Sequence, residues 1–542
     1  MNKIGNFSYE RFVPSLPREK HSHHTIAIAG GGPIGLATAV GLAKQGVPSI
    51  VIEADNSVCE GSRAICISRR SLQILQRLGV LEAFIAKGLP WTTGRSYYKD
   101  QEVLRFSMPH ADDDKLPPML NLAQHHIEQF LLDEARKFPE LIDIRWASIV
   151  TQLQSRADGV TLTVHNDIGE YTLDADWLVA ADGGQSFIRK SLGLNLQGQA
   201  FTGKFVIVDI ELHSTFPTER RAWFDCACNP GSTMLMHKQP DNIWRIDYQI
   251  PDGANLDEAI KEENVRPVVE RHLAAIGEAH LPWQYLWSSA YRAGTMTLDS
   301  YVHGRVLFAG NAAHAMPIFG VRGLNSGFED ADNLTWKLAM VTKGQAHAKL
   351  LQTYSTERIA AYHVNAANAG KSTEFMAPGS RGFALMREAA LSLSSQYRAM
   401  SSLLNPRQTS AVAYAVAQHL GEDFADGVQR GQAPVDVPVV WPDGTTGHLL
   451  DRVHSQFTLL VLGDSVWPSD GAASGAEART HHLDVLQFAG DASAHAALAS
   501  AWGWGRAYLL RPDGHVAAVY RVAQWNNAGK AIKNIVYGGE VC

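Results

Sequence analysis

A glycine turn set between two short apolar runs constrains this chain more than any other feature. Residues 25–30 (TIAIAG) are apolar and rich in β-formers, as suits a strand buried on both faces of a parallel sheet. The motif Gly30-x-Gly32-x-x-Gly35 follows, with Pro33 and Ile34 inside it, and an apolar-periodic stretch covers 36–43. A second apolar run, 49–52, leads into Glu53 and Ala54. Strand, glycine turn, helix and strand within about 30 residues predict a βαβ unit that binds a dinucleotide. Gly30 permits the tight turn, Gly32 lets backbone approach a pyrophosphate, and Gly35 lets the helix pack close to the strand. The helix N-terminus offers N–H groups to the phosphates, and Glu53 accepts hydrogen bonds from an adenosine ribose. By itself the pattern does not separate NAD from FAD.

At 542 residues the chain predicts two to four domains. Its formal charge of −7 is spread out with no Lys/Arg block, which argues against nucleic acid or an anionic membrane as partner. No apolar run reaches the roughly 18 residues of a membrane span, and the first residues carry no apolar segment of a secretory signal. Cys59, Cys66, Cys226, Cys228 and Cys542 form no CxxC motif, and they read as reduced thiols of a cytoplasmic protein. His21, His23 and His24 read as part of a loose, solvated segment over 1–24, so no metal site is expected.

Alternating runs over 143–177 predict antiparallel strands, and 178–181 predicts a buried strand ending in Asp182-Gly183-Gly184. Alternation returns over 201–291 as a second sheet, and 305–309 forms one more buried strand before Gly310. A long helix is expected over 325–341, with further helix over 371–430. The Pro-rich stretch 432–444 reads as a linker to a small α/β unit over the last hundred residues.

Three motifs in order carry a family resemblance: the glycine turn, Asp182-Gly183-x-x-Ser186-x-x-Arg189, and GRVLFAGNAAHAMPIFGVRGLNSGFEDADNLTWKL at 304–338. Together they resemble the fingerprint of the flavoprotein aromatic hydroxylases over roughly 25–370. The resemblance implies an α/β protein with a Rossmann-like FAD-binding domain (25–200 and 292–370). It also implies an inserted antiparallel-sheet substrate domain at 201–291, with contributions from about 92–119. Residues 431–542 are similar to the thioredoxin-like C-terminal domain of such hydroxylases, read here as redox-inactive, and 371–430 as a helical linker. By the same resemblance Arg63 and Gln124 contact the phosphate or ribityl region of FAD. Asp182 and Gly183 lie between the FAD pyrophosphate and the transient nicotinamide site, and Gly320, Gly323, Leu324 and Asn325 line the flavin ring. Arg189 and Pro317 are further cofactor contacts by this resemblance, and the main-chain carbonyl near Pro317 and Ile318 accepts a substrate hydroxyl. Gly310-Asn311 stands where the family has Gly-Asp; the Asn oxygen accepts the same ribityl hydrogen bond, weaker by about 1 kcal/mol.

The implied chemistry is the flavin's. NAD(P)H, bound transiently because no second strand–GxGxxG–helix unit appears, reduces FAD. O2 then gives a flavin hydroperoxide that attacks a small, electron-rich aromatic ring. Candidate pocket residues are Arg322 beside the ring, Tyr291 and His237 for hydrogen bonding or proton transfer, and Arg245 and Tyr248 on the run NIWRIDYQI. Alternation on that run puts Arg245 and Asp247 on one face and Trp244, Ile246 and Tyr248 on the other, the latter read as a pocket floor. A homodimer is the expected assembly. The alternatives are a flavin monooxygenase for a larger, polyketide-like substrate, or a non-catalytic FAD-binding protein.

Overall fold

The computed structural model describes residues 3–4, 7–16, 21–61, 64–404, 410–417, 419–464 and 483–538. Its first sheet is built around the strand His21–Ala29, which runs parallel to Ser49–Ile52 on one side and to Gly169–Ala180 on the other. Ile142–Arg145 extends one edge, parallel to Ser49–Ile52. Val160–Asn166 and Ile149–Ser155 extend the other edge as an antiparallel meander. Val306–Phe308 joins the upper end of Gly169–Ala180 in parallel. The central segments 26–29, 50–52 and 178–180 are apolar and buried because helices cover them: Pro33–Lys44 lies on this sheet and packs against Gly323–Thr342.

The second sheet has eight strands, and all its described pairings but one are antiparallel. Its centre is Gln197–Leu212, flanked by Trp283–Thr297 and Ile243–Ile250; Thr233–Lys238 and Arg220–Phe224 follow outward. The hairpin Thr93–Tyr98 and Gln101–Ser107 ends this side, with Thr93–Tyr98 parallel to Arg220–Phe224, and His314–Ala315 pairs with Trp283–Thr297 at the other edge. The helix Glu262–Ala275 lays Val265, Val269 and Leu273 on one face of this sheet. That leaves the opposite face for the cavity described below.

The C-terminal sheet orders Asp484–Phe488, Thr458–Leu462, Arg506–Leu510 and Val516–Arg521, the first pair parallel and the rest antiparallel. Its core residues Leu459, Leu509 and Ile532 pack on Trp336 and Leu350 from the long helices. The turn after Arg506–Leu510 also reaches a buried charge cluster. Arg511 pairs with Glu357 at 2.6 Å and with Asp513, and Lys337 pairs with Glu357 at 2.8 Å. Beside them Arg77 and Arg70 hold Asp332 at 2.6 and 3.2 Å, and Arg70 donates to the Asp513 carbonyl.

Three expectations need correction. The first main strand starts at His21, because His21–His24 pair in register with Thr172–Ala175 and their rings meet acidic neighbours. His21 contacts Asp174 at 3.1 Å and His23 contacts Asp176 at 3.0 Å. Upstream, Phe12 stacks on Trp146, so this part of the segment is packed. Cys226 and Cys228 are joined in a disulfide rather than left as thiols, since the turn between Arg220–Phe224 and Thr233–Lys238 brings their Cα atoms to 5.3 Å. Cys542 lies outside the described residues. Within 371–430, helix among the described residues is limited to the end of Leu350–Met376, then Arg381–Gln396 and the short turn Arg398–Leu404. The described residues of 410–430 hold no helix; Gly421 and Gly427 take left-handed angles there, and a Cβ on Gly421 would strike the Val519 carbonyl.

Candidate functional site

A cavity of about 890 Å3 opens where the glycine turn of the first sheet faces the second sheet. At one end the three glycines have separate reasons to lack a side chain. A Cβ on Gly30 would lie 2.5 Å from the Ala181 carbonyl, and one on Gly35 would lie 1.9 Å from the Gly30 carbonyl. Both serve close packing within the fold. A Cβ on Gly32 would meet nothing within 4 Å, because that backbone faces the open cavity. Pro33, Ile34, Glu53, Ala54 and Gln124 line the same end. The Glu53 carboxylate accepts hydrogen bonds from the N–H groups of Gly31 and Asp55, and burial raises its pKa against those bonds. Gln124 donates to Glu128 at 2.9 Å, and burial pushes the Glu128 carboxyl up to about 7.

The middle of the cavity is held by turns following buried strands. Asp182 and Gly183 line it; one Asp182 oxygen accepts the Ile188 N–H at 3.0 Å, and the other is buried with no hydrogen-bond partner among the described residues. Burial raises the Asp182 pKa. Gly310 and Asn311 line the opposite wall. Asp330 fixes that wall by accepting from the Gly310 N–H at 3.0 Å and from Arg358 and His314 at 2.7 Å. The helix Gly323–Thr342 presents its first turn, through Gly323 and Leu324, to the cavity. Its free N–H groups carry partial positive charge there.

Three expected cofactor contacts lie elsewhere, while Gly35 serves the close helix–strand packing expected of it. Arg189 turns inward, donating to the carbonyls of Ala312 and Gly184, so it braces the wall from behind. Asn325 spends its amide on Ser68, Ser71, Cys66 and Val321, tying the long helix to the neighbouring loop. Gly320 faces a second, smaller cavity. Arg63 lies outside the described residues.

At the far end the second sheet contributes one face of its pleat. Arg245 lies opposite His237 and Asp209, and Asp247 lies opposite Leu235 and Ile207; all but Asp209 line the cavity. Tyr291 and Arg220 complete this wall. The pocket-floor expectation for Trp244, Ile246 and Tyr248 is therefore corrected: they pack under the Glu262–Ala275 helix with Val206, Met234 and Leu273. Alternation separates the two faces but does not say which one a helix will cover. Tyr248 is thus remote from the cavity.

The lining charges are deeply buried. Arg245 makes a two-pronged contact with Asp209 at 2.9 and 2.8 Å. The Asp247 carboxyl is pushed up to about 7 by burial, against the pull of Arg245. Burial and the neighbouring charges of Arg220 and Arg245 hold His237 well below the usual range, so its ring is neutral. Tyr291 is raised well above the usual phenol range by burial and by Asp247. Tyr291 Oη, His237 Nδ1 and Asp247 Oδ1 are all buried without a hydrogen-bond partner among the described residues. Sequence reading missed Asp247 and Arg220 as site residues; the polar positions alternating with the Trp/Ile/Tyr set were the available signal for Asp247. The loop 316–322 closes this end, with Arg322 donating to Asn365 and Val321 at a φ of 55°. A positive φ at a β-branched residue is costly and marks a loop held by its surroundings.

Residues 23–369 match the family described as FAD binding domain, close to two thirds of the chain. The chain belongs to this FAD-binding family. Its cofactor is FAD. Among curated relatives, the chain is similar to a 3-(3-hydroxy-phenyl)propionate/3-hydroxycinnamic acid hydroxylase of Escherichia coli strain E24377A. The two are 30% identical over 344 residues, covering 63% of this chain and 60% of the relative. A hydroxylase of the same description from Klebsiella pneumoniae strain 342 is also 30% identical, over 61% of this chain and 59% of that one. The chain thus matches about 60% of the length of these relatives. Among solved structures, the flavin-dependent monooxygenase PieE, in complex with FAD and substrate, superposes with a TM-score of 0.77 at 21% identity. That match covers 97% of this chain and 100% of the other. Aklavinone-11 hydroxylase with FAD and aklavinone gives 0.76 at 22% identity, over 95% and 99% of the two chains. These likenesses establish the fold of an FAD-binding α/β protein carrying a second sheet. Among the described residues no helix is long and apolar enough to cross a membrane, and no group of three or more metal-ligating side chains occurs.

Proposed function

We propose that the chain is an FAD-dependent aromatic monooxygenase that uses NAD(P)H and O2 to hydroxylate a phenolic substrate. The observation that carries this reading is one continuous cavity with a dinucleotide-type glycine turn at one end and three unpartnered buried polar atoms at the other. The residues fit FAD. Gly32 leaves its backbone open for a pyrophosphate, the Asp182 oxygen is available to a donor, and the helix start at Gly323 suits a flavin carbonyl edge. Glu53, Gln124 and Asn311 would hold the ribose and ribityl hydroxyls. When bound, the flavin supplies the oxidising chemistry, reduced by nicotinamide and recharged by O2.

The chain's own part is to bind, orient and ionise the ring. Tyr291 Oη donates to a phenol oxygen, and Asp247, poised near neutrality, accepts the phenol proton. The cationic Arg220 in the same wall favours the resulting phenolate, whose ring carbons become nucleophilic. Phe319 and Ile318 cover the ring and keep water away. NAD(P)H visits the cavity transiently. A hydroxyphenyl acid, the substrate class named for the curated relatives, is the first compound to try.

The test is oxygen uptake by the flavin-loaded protein with NADH or NADPH and a panel of phenols, with 18O2 to trace the product. Ring-dependent NAD(P)H oxidation with label in the hydroxylated product is expected. NAD(P)H oxidation at one rate with every phenol and without any would overturn the reading in favour of a non-catalytic or different flavoprotein.

We also propose a homodimer, through the helix Arg381–Gln396. Phe383, Met386 and Leu393 are exposed along it, three and seven positions apart, an apolar stripe suited to a second helix, and Tyr397 and Met400 are exposed just beyond its end. Light scattering on the intact protein checks this: twice the chain mass is expected, and a monomer at high protein concentration contradicts it. The C-terminal sheet is read as thioredoxin-like from its strand order, with a packing role.

A further inference from the structure

Beside the main cavity lies a second one of about 260 Å3, under the loop 316–322 and against the helix Leu350–Met376. The two share wall residues. Arg220 and Phe319 line both, so a guanidinium and one aromatic ring stand at the boundary between the chambers. Phe319 packs edge-on against Phe205, which stacks on Tyr291, and this places the shared ring next to the polar end of the main cavity.

The smaller chamber has its own chemistry. Phe106, Phe224 and Phe375 make it aromatic, and Phe224 meets Phe375 edge-to-face at 5.4 Å. Asn368, Lys371, Ser372 and Phe375 come from one face of the helix, at spacings of three and four. No Asp or Glu is among the described residues lining the chamber. Of the three cations among them, Arg95 is neutralised by Glu219 at 2.8 Å and Glu102 at 2.9 Å. Arg220 is buried at the junction, and Lys371 stands exposed, its side chain making no ion pair or hydrogen bond among the described residues. Aromatic walls with an unmatched lysine suit an apolar ring that carries a negative group.

We propose that this chamber is an annex to the substrate site. It receives the far, anionic end of an elongated aryl acid whose phenolic ring lies by Tyr291 and Asp247. The inference rests on the hydroxylase reading and adds to it a substrate class: an aryl phenol extended by a second apolar group and ending in a carboxylate. Phe319 and Arg220 then act as the sleeve through which the substrate passes. Lys371 neutralises the carboxylate, and Phe224 and Phe375 enclose the second ring.

Isothermal titration calorimetry on the flavin-loaded protein tests this with three probes: phenol, meta-phenylphenol, and meta-phenylphenol bearing a carboxylate on the far ring. The second ring is expected to tighten binding about tenfold over phenol by burying apolar surface. The carboxylate should add about another tenfold through Lys371. Lys371→Glu reverses the preference for the acid over its uncharged parent, and Ser372→Trp, which fills the annex, removes the gain from both steps. Affinity that does not rise from phenol to the two-ring probes, while phenol still binds and accelerates NAD(P)H oxidation, overturns the annex and leaves the hydroxylase reading standing. An unaltered acid preference in the Lys371→Glu protein also overturns it. If none of the three probes binds or accelerates NAD(P)H oxidation, both readings fall together.

Discussion

Asp247 and Glu357 are both nearly inaccessible carboxylates, 3% and 1% exposed, yet their proton affinities move in opposite directions. Asp247, in the cavity wall, is pushed up to about 7 by burial, and the nearby guanidinium only partly offsets it. Glu357, between the long helices and the C-terminal sheet, also suffers burial, but Arg511 and Lys337 overcome it and hold its carboxyl at about 2. The difference is one of pairing at the carboxylates themselves, since Arg70 Nε and Arg77 Nε in the second cluster also lack hydrogen-bond partners among the described residues, and burial raises Asp332 despite its two arginines. Each carboxylate in the second cluster has a cation in contact: Glu357 with Lys337 and Arg511, Asp332 with Arg70 and Arg77, Asp513 with Arg511. In the cavity Asp247, Tyr291 and His237 each keep a buried atom with no hydrogen-bond partner among the described residues. A finished polar cluster joins parts of a fold, whereas an unfinished one, facing a void, has a place for a ligand.

The largest expected effect comes from breaking the finished cluster. Glu357→Ala leaves Lys337 buried without its anion and Arg511 with Asp513 alone, and costs about 3–5 kcal/mol of stability, read by urea denaturation. A loss under about 1 kcal/mol would dissolve the distinction drawn here. Next is Gly32→Val, whose side chain enters the cavity: FAD affinity falls about a hundredfold while the apoprotein's melting temperature holds. The companion Gly35→Val, wedged against the Gly30 carbonyl, lowers the melting temperature instead.

Asp247→Asn is expected to have a smaller effect, seen mainly through pH. A folded-state pKa raised to about 7 means that the native protein holds an extra proton between about pH 4 and 7. Stability therefore falls as pH rises through that window in the wild type, and the decline is absent from the Asn variant. The wild type's phenol turnover rises through pH 7 as the carboxylate forms; the variant loses that rise and is about tenfold slower at pH 8. Glu357 has the opposite sign: its contribution is complete above the ordinary glutamate range and is lost as pH falls toward 2. The smallest effect is expected at the wall opposite Asp182. Asn311→Asp tightens FAD about fivefold, near 1 kcal/mol, by replacing a neutral acceptor with a charged one, as equilibrium dialysis would detect.

Backbone requirements were the most legible in the sequence. Gly30, Gly32 and Gly35 are needed whatever surrounds them, because two backbones and an open cavity approach there, and the βαβ unit follows from local order. The second sheet was legible for the same reason: its strands alternate. Which face of it would line the cavity was not, since the Glu262–Ala275 helix, not the strand, decides that Tyr248 is covered and Asp247 exposed to the void. The charge cluster was illegible because its partners lie far apart in sequence: Arg511 and Glu357 are separated by 154 positions and Arg70 and Asp332 by 262. The pairing of His21 and His23 with Asp174 and Asp176 was hidden likewise, and a run of histidines read as a loose segment turned out to be the start of a strand.

The most direct test of the unfinished cluster as a substrate site is anaerobic reduction of the bound flavin by NADH and by NADPH, followed by absorbance, with and without phenols. The account predicts reduction accelerated at least tenfold by a fitting phenol in the wild type, and an acceleration largely lost in Tyr291→Phe and Asp247→Asn proteins that keep their flavin. Equal acceleration in the wild type and both variants would contradict it, since the phenol would then be bound somewhere that these unpartnered groups do not reach.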